Sequence, residues 1–506
     1  MPAVQSLRAG TVAQMLPLIA GYTVNLLATP FIVAKLGFHN FGAWSLTGAI
    51  AQYAALFDLG VTRATSRYVA VYHSREDKDG ERAVLGLTVI VLIGLSAVLY
   101  LVGYFSAPLV ERLIRTGSED LARALVLSAT SMLVFGMTAR AFAGAANGRG
   151  RQVPANIGIS ILTVSQILFG ATALVFDPSL YAFALWSAVG AFFGMVSVLV
   201  ITTVDEGRVH FGWPSGSLAR EFVAYGVKGQ VLGASDVVLF QSGKLLVGIF
   251  VGPAAAGAYE LGSRLIQGAQ AFGSATSVAL ATYLTRSYSV EGLASIRKEY
   301  RRLTQRNAVV AILPAMLLGA TAMTSIPLWL GERSLPVIGV VMGLAIGTAL
   351  NAATGVCSAT LFSLGRAGTI GLVAAVNAFI AIAIAIPVTR LWGLAGTVVA
   401  YGGWLILGTL LGARWLHAQL DIPFREFTHA IRGPFVVSLF AAVPAVALGV
   451  VTSPTTRSSA IVPFMLACVA YLAIYVWLAQ RLGYVSVPKP RRILDVIGRQ
   501  RHVASG

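Results

Sequence analysis

The sequence predicts an all-α polytopic membrane protein with about fourteen transmembrane helices. Of its 506 residues, 57% are hydrophobic and only 11% are charged, and the mean hydropathy is +0.78. An ordinary soluble domain is about a quarter charged. This chain therefore has too few charges to cover a water-exposed surface of its size, and the bilayer must be the solvent for most of it.

Apolar runs long enough to cross a bilayer recur from one end of the chain to the other. A helix needs roughly 20 apolar residues to span about 30 Å of hydrocarbon. The predicted spans are 11–34, 42–66, 85–106, 122–145, 153–175, 180–203, 222–250, 254–284, 307–328, 335–362, 368–388, 394–416, 433–452 and 460–481. No large soluble domain remains between them.

The basic residues alternate between the two sides of these spans. If the N-terminus is cytoplasmic, 27 of the 37 Lys and Arg residues fall in loops on that side, 7 on the other side and 3 within spans. Cytoplasmic loops carry such an excess, so we expect both termini to be cytoplasmic in a bacterial inner membrane. The net charge of +17 then reflects basic loops facing anionic lipid. Nucleic-acid binding would need a soluble basic face, which the sequence lacks.

The residues that usually carry catalysis or bind metals are sparse and scattered. The two cysteines, Cys357 and Cys468, lie inside apolar runs, and the six histidines lie in loops or at span ends. This pattern predicts no disulfide framework, no metal site and no cofactor. A membrane enzyme acting on polyprenyl-linked sugars would need a large outward loop, whereas the longest one predicted here is about 106–121. We therefore expect a transporter and not an enzyme.

An internal repeat divides the chain. Residues 37–68 align without gaps to 252–283, an offset of 215, with nine identities in 32 positions that include Gly37 with Gly252 and Gly42 with Gly257. The offset equals six spans, so the two halves have the same orientation and the substrate path lies between them. The predicted domains are two parallel six-helix bundles at 1–210 and 211–420, two additional helices at 421–482, and a basic cytoplasmic tail at 483–506.

Ionisable residues within or at the ends of spans are costly and tend to face a protein or water interior. The candidate cavity residues of this kind are Asp58, Arg63, Arg67, Arg140, Lys228, Asp236, Lys244, Glu260 and Arg264. Six cations among nine charges favour an anionic cargo, since Lys and Arg form charge-assisted hydrogen bonds with phosphate. Two alternatives stay open: the three first-half arginines as simple cytoplasmic anchors, and Glu260 with Arg264, spaced i,i+4, as a structural pair.

One segment resembles a known family. Residues 36–70 read LGFHNFGAWSLTGAIAQYAALFDLGVTRATSRYVA, and 251–265 read VGPAAAGAYELGSRL. The pairs Leu36-Gly37 and Phe41-Gly42, followed by Asp58-Leu59-Gly60 and the arginines, are similar to the start of the polysaccharide transporters. These are the O-antigen flippases of the multidrug/oligosaccharidyl-lipid/polysaccharide superfamily. The two segments cover about a tenth of the chain, whereas the hydropathy resemblance covers nearly all of it.

The resemblance implies a fold and a cargo. It implies two six-helix bundles that work by alternating access and carry an undecaprenyl-diphosphate-linked oligosaccharide to the outer leaflet. Such a protein serves surface polysaccharide biosynthesis, as lipopolysaccharide O-antigen or exopolysaccharide, beside a polymerase and glycosyltransferases. By this analogy Arg63, Lys228, Asp236 and Lys244 contact the diphosphate or sugars. The alternative is a cation-coupled multidrug or metabolite exporter of the same superfamily, which would need an acidic site in the first bundle, where only Asp58 qualifies.

Overall fold

The computed structural model describes residues 3–58, 60–203 and 211–484, and within these ranges it is helical with no strand. Some helical side chains are not described, among them those of Lys228 and Asp236. The helices are α1 Ala3–Ala54, α2 Val61–Ser74, α3 Lys78–Ile114, α4 Glu119–Gly148, α5 Gln152–Phe176, α6 Leu180–Thr203, α7 Gly216–Phe250, α8 Pro253–Ala320, α9 Ala322–Leu330, α10 Leu335–Ala353, α11 Gly355–Ser363, α12 Ala367–Ala418, α13 Phe424–Thr452 and α14 Arg457–Arg481. A single 3-10 turn, Ala55–Phe57, follows α1.

The predicted all-α polytopic class is confirmed. Ten described helical segments are long and apolar enough to cross a membrane. α12 contains the predicted spans 368–388 and 394–416, separated by a break at Gly393. α1 contains the span 11–34 and the first part of 42–66, separated by a break at Gly37. The apolar end of α7, Val237–Phe250, is a shorter candidate. The predicted spans 254–284 and 307–328 both include residues of α8, whose backbone stays helical through the segment between them. That segment contains no proline to interrupt the helix.

The described chain forms two compact units. The first contains residues 1–262 and 371–401, and the second contains 263–370 and 402–506. The first unit extends beyond residue 210 because α7 packs on α1, α2 and α3. The domain boundaries predicted from the repeat stay a prediction. Nearly all of the predicted basic tail, 483–506, lies outside the described residues.

In the first unit, the two repeat segments touch each other through glycines. A Cβ on Gly42 would lie 1.8 Å from the Pro253 carbonyl oxygen, and a Cβ on Gly257 would lie 2.7 Å from the Phe38 carbonyl oxygen. The offset of 215 that relates Gly42 to Gly257 also relates Phe38 to Pro253. Each contact is thus the counterpart of the other, which is the signature of a two-fold relation. The repeat is visible in the packing as well as in the sequence.

Elsewhere in the first unit, small residues also bring helix backbones together. A Cβ on Gly190 would lie 2.4 Å from the Ser165 carbonyl oxygen, and one on Gly194 would lie 2.5 Å from Cα of Leu162. The Ser165 hydroxyl donates to the Gly190 carbonyl at 2.8 Å. Close backbone approach and interhelical hydrogen bonds are how helices associate where lipid removes the hydrophobic drive between them. These contacts fasten α5 to α6.

The second unit joins α8 to α12, α13 and α14 through buried polar and aromatic groups. Tyr475 donates from its hydroxyl to the Val309 carbonyl at 2.7 Å, and its ring stacks on Tyr471. His417, at the end of α12, is 1% exposed and lies 2.7 Å from the Tyr300 hydroxyl. Its Nδ1 lies 2.6 Å from the Ala413 carbonyl. Because a carbonyl only accepts, Nδ1 carries the proton, and Nε2 accepts from Tyr300.

The segment between α1 and α2 differs from the prediction. The span predicted over 42–66 ends at a break, where Asp58 closes a turn and Gly60 adopts φ +64°. The Gly60 amide donates to the Asp58 carboxylate at 2.7 Å. A Cβ on Gly60 would lie 2.3 Å from the Gly226 carbonyl oxygen of α7. Arg63 and Arg67 consequently lie on the short helix α2 and not on the preceding span.

We predict that Gly60→Ala destabilises the protein by at least about 2 kcal/mol. The new methyl group would combine an unfavourable left-handed backbone with a clash against α7. The thermal midpoint of purified protein in detergent measures the loss. Gly48→Ala is the matched control, since Gly48 is helical with nothing within 4 Å of its Cβ position. Equal midpoints for the two variants would contradict this account of the break.

Candidate functional site

Two groups of the predicted charges can be located in the first unit. One lies where α2 runs beside α4 and contains Asp58, Arg63, Arg67 and Arg140. The other joins α7 to α8 and contains Lys244 and Glu260. Lys228 and Asp236 belong to α7, but their side chains lie outside the described residues. Arg264 belongs to the second unit and is half-buried.

The packing of α2 against α4 determines which residues of the two helices lie side by side. A Cβ on Gly144 would lie 2.9 Å from the Thr62 carbonyl oxygen, and one on Gly148 would lie 2.5 Å from the Ser66 carbonyl oxygen. Both contacts have the same sequence offset, so the two helices run in the same direction with matched turns. Extending this register by one turn places Arg140 at the level of Asp58, which is near enough to attract it electrostatically.

Arg140 stands out on α4 because its side chain is accessible. Its side chain is exposed, whereas both of its neighbours in the chain, Ala139 and Ala141, are fully buried. Arg140 nevertheless lies deep among protein atoms. Its guanidinium is therefore both accessible and surrounded by protein, within the candidate membrane span Glu119–Gly148. An ionisable group in this position within a membrane span is a candidate for substrate contact.

Arg67 is held by aromatic rings. Its guanidinium carbon lies 4.2 Å from the centroid of Tyr225 on α7 and 5.9 Å from that of Tyr68. The two tyrosine rings meet edge to face at 6.2 Å. Stacking on a ring leaves the guanidinium edge and its N–H donors available. Arg67 and Arg63 are both exposed, so together with Arg140 the first unit presents three exposed guanidinium groups where α2 runs beside α4.

Lys244 and Glu260 form a buried ion pair. Lys244 Nζ lies 2.7 Å from Glu260 Oε2, and the two residues are 6% and 9% exposed. The helices meet closely here, since a Cβ on Gly243 would lie 2.3 Å from the Tyr259 hydroxyl. The carboxylate neutralises the ammonium, so Lys244 does not present a free positive charge. Its predicted contact with an anionic cargo stays untested and would require the pair to open.

Further polar groups surround this ion pair within the first unit. The Ser242 and Tyr401 hydroxyl oxygens lie 2.5 Å apart, which ties α7 to α12. Tyr53 on α1 donates to the Val238 carbonyl at 3.4 Å. Within the described part of the chain, the side-chain oxygen of Gln241 is buried and has no hydrogen-bond partner. A buried acceptor of this kind is uncommon and is open to a donor from water or substrate.

Sequence reasoning found the charges but missed several of their partners. The i,i+4 spacing left Glu260 and Arg264 open as a structural pair, and that pair stays a prediction. The ion pair of Glu260 with Lys244, 16 positions earlier, was not foreseen, because it forms where α7 and α8 cross. The contact of Tyr225 with Arg67 could not be inferred from the sequence, because an aromatic residue in an apolar helix usually packs in the core. In the described residues, no group of three or more His, Cys, Asp or Glu side chains could hold a metal ion.

We predict that Lys244→Met destabilises the protein by about 3–5 kcal/mol, because it leaves the Glu260 carboxylate buried without its ammonium partner. The double variant Lys244→Met/Glu260→Gln should lose less, since both charges are then absent. Thermal unfolding in detergent measures both. Asp120→Asn is the control, because Asp120 is a highly exposed partner of Arg123 and should change stability by less than about 1 kcal/mol. A double variant as unstable as the single one would contradict the pairing.

Comparisons with known proteins agree with this architecture. Residues 7–286 match the model of a family described as polysaccharide biosynthesis protein. A comparison with curated protein sequences finds no match. Among solved structures, the chain is similar to the lipid II flippase MurJ in an inward closed conformation. The TM-score is 0.66 at 13% identity, over 95% of this chain and 100% of the other.

Two further structures share the fold. An inward-facing multidrug resistance MATE family transporter of the MOP superfamily has a TM-score of 0.65 at 14% identity, over 81% of this chain and 98% of the other. A MOP superfamily transporter from Pyrococcus furiosus has a TM-score of 0.52 at 16% identity, over 82% and 95%. These neighbours are transporters and flippases, and they show a shared fold alone. Because the family model covers more than half of the residues, the chain belongs to the polysaccharide biosynthesis protein family.

Proposed function

We propose that this protein is a flippase for an anionic lipid-linked oligosaccharide, in the chemical class of undecaprenyl-diphosphate sugars. The observation that carries the proposal is the set of exposed guanidinium groups of Arg63, Arg67 and Arg140 in the first unit. Arginine is suited to diphosphate because its planar group donates two parallel hydrogen bonds. Membership of the polysaccharide biosynthesis protein family and similarity to a lipid II flippase support the same cargo class.

The charge balance of the first unit supports an anionic cargo over a cationic drug. Asp58 is the acidic residue that a cation-coupled exporter would require in the first bundle. Its carboxylate accepts the Gly60 amide and lies near Arg140. Glu260 is engaged by Lys244. Both carboxylates thus serve the protein's own structure, which leaves the arginines as the charges that face open space.

The setting of this activity is part of the proposal. The protein would lie in a bacterial inner membrane with both termini cytoplasmic, as the loop charges indicate. It would receive its cargo from glycosyltransferases and deliver it to a polymerase for O-antigen or exopolysaccharide. Deleting the gene should stop surface polysaccharide while the lipid-linked precursor accumulates inside. Continued export in a strain without a second flippase would refute the proposal, and drug hypersensitivity alone would favour the exporter alternative.

We predict that Arg140→Gln lowers polysaccharide export at least about tenfold at unchanged protein level. A hydrogen bond to a charged group contributes about 1.5–3 kcal/mol, and 1.4 kcal/mol is tenfold in affinity. Complementation of the deletion strain, with export and membrane protein both quantified, measures the effect. Arg140→Lys should recover part of the activity because it keeps the charge. Arg75→Gln is the control, since Arg75 is an exposed arginine at the end of α2. Normal export by Arg140→Gln would remove Arg140 from the site.

A further inference from the structure

A separate cavity lies on the hairpin of α5 and α6, beside the turn at 177–179. Its volume is about 590 Å³, within the range of about 300–1,000 Å³ that small-molecule sites occupy. Four aromatic side chains line it: Phe169, Phe176, Tyr181 and Trp186. The last three are exposed, so the cavity is open at the surface of the first unit. No arginine or lysine lines it. The cavity therefore differs in chemistry from the arginine site, and by the predicted topology it lies on the opposite side of the membrane.

The walls of this cavity are fixed by the packing of the hairpin. Gly170 and Ser187 bring the two helices together, since a Cβ on Gly170 would lie 2.2 Å from the Ser187 hydroxyl oxygen. The Phe169 ring stacks on Phe193 at 5.6 Å. Ala173 and Ala182 are buried and also line the cavity, and their small side chains leave it room. The cavity is thus a feature of the folded hairpin.

The environment of the hairpin determines what can enter. Both α5 and α6 are long and apolar enough to be membrane spans, so hydrocarbon is the expected surrounding of an apolar cavity on their exposed faces. A lipid chain is the molecule available to fill it. The hydrophobic effect does not favour the cavity over the bilayer, because the lipid chain moves from one apolar environment to another. Selectivity must therefore come from the group at the polar end of the cavity.

That group is Asp177. It ends α5, it is exposed, and it lines the cavity. No ion pair involves it within the part of the chain that the structure describes. Tyr181 and Trp186 are residues typical of the membrane interface, where one end of the side chain is wet. A carboxylate at this position attracts an ammonium group and repels phosphate that carries net negative charge.

We propose that this cavity binds a phospholipid whose headgroup carries a primary amine, with one acyl chain between Phe176 and Trp186 and the ammonium at Asp177. The site is independent of the cargo site, because a lipid-linked diphosphate is anionic and the carboxylate would repel it. The Tyr181 hydroxyl is a hydrogen-bond donor at the same rim. The site would hold a lipid of the surrounding bilayer in a fixed place on the first unit.

Quenching of Trp186 fluorescence by brominated lipid tests this proposal. Full-length protein is reconstituted in phosphatidylcholine vesicles that contain brominated phosphatidylethanolamine or brominated phosphatidylglycerol at increasing fractions. The difference between the wild type and Trp186→Phe isolates the signal of this tryptophan. We expect half-maximal quenching at an at least threefold lower fraction of the ethanolamine lipid. Asp177→Asn should remove this preference, whereas Glu332→Gln, another exposed carboxylate in a predicted outward loop, should retain it.

Three results would overturn the proposal. Equal quenching by the two lipids would mean that the headgroup is not recognised. A preference that survives Asp177→Asn would place recognition elsewhere. Stronger quenching by a brominated polyprenyl diphosphate than by the ethanolamine lipid would assign the cavity to the cargo. Ala182→Trp provides a second test that does not rely on the tryptophan difference, since filling the cavity should lower the amount of ethanolamine lipid that co-purifies with the protein.

Discussion

The contact between the two repeat segments is the constraint on which the first unit depends. Gly42 and Gly257 occupy matching positions of the repeat, and each admits a backbone carbonyl where any side chain would clash. This crossing holds the first residues of α8 against α1, and α7 leads into it. The position of Glu260, one turn after Gly257, follows from the crossing. The buried ion pair with Lys244 is therefore a consequence of how the repeats meet.

The positive charges near the two repeat segments have different surroundings within the first unit. At the second repeat segment, Glu260 neutralises the positive charge of Lys244, which lies on the preceding helix α7. In the first segment, the Asp58 carboxylate accepts a hydrogen bond from the Gly60 amide, and Arg63 and Arg67, which follow, are exposed. A membrane protein pays a large desolvation cost for an unpaired buried charge. The exposed guanidinium groups are therefore the basis of our proposal that the cargo is anionic.

Much of this architecture could be predicted from the sequence, because the bilayer leaves a strong mark on composition. Hydropathy and loop charge predicted the all-α polytopic class. The repeat indicated that residues 37–68 and 252–283 are equivalent. The break at Asp58–Gly60 was visible only as a motif, since the backbone conformation of Gly60 is enforced by α7. The partner of Lys244 was hidden for a similar reason. Helical spacing reports neighbours on one helix, whereas this pair depends on a crossing between two helices.

The cavity on α5 and α6 had no sequence signal either. The sequence pattern around its lining residues is that of ordinary lipid-facing positions, and Asp177 has the position of a loop residue. Only the packing of Gly170 against Ser187, with alanines nearby, leaves an open cavity between these residues. The positions of Lys228 and Asp236 in α7, where the sequence predicts further cavity charges, stay predictions.

Direct measurement of lipid movement tests the central claim, which is transport of an anionic lipid-linked sugar. The purified protein is reconstituted in liposomes that contain a fluorescent polyprenyl-diphosphate oligosaccharide, and a membrane-impermeant quencher reports the fraction in the outer leaflet. The account predicts that the protein exposes the inner pool to the quencher, and that an uncharged polyprenol-linked analogue of the same sugar moves much more slowly. Equal movement of the charged and uncharged lipids, or no movement of either, would contradict it.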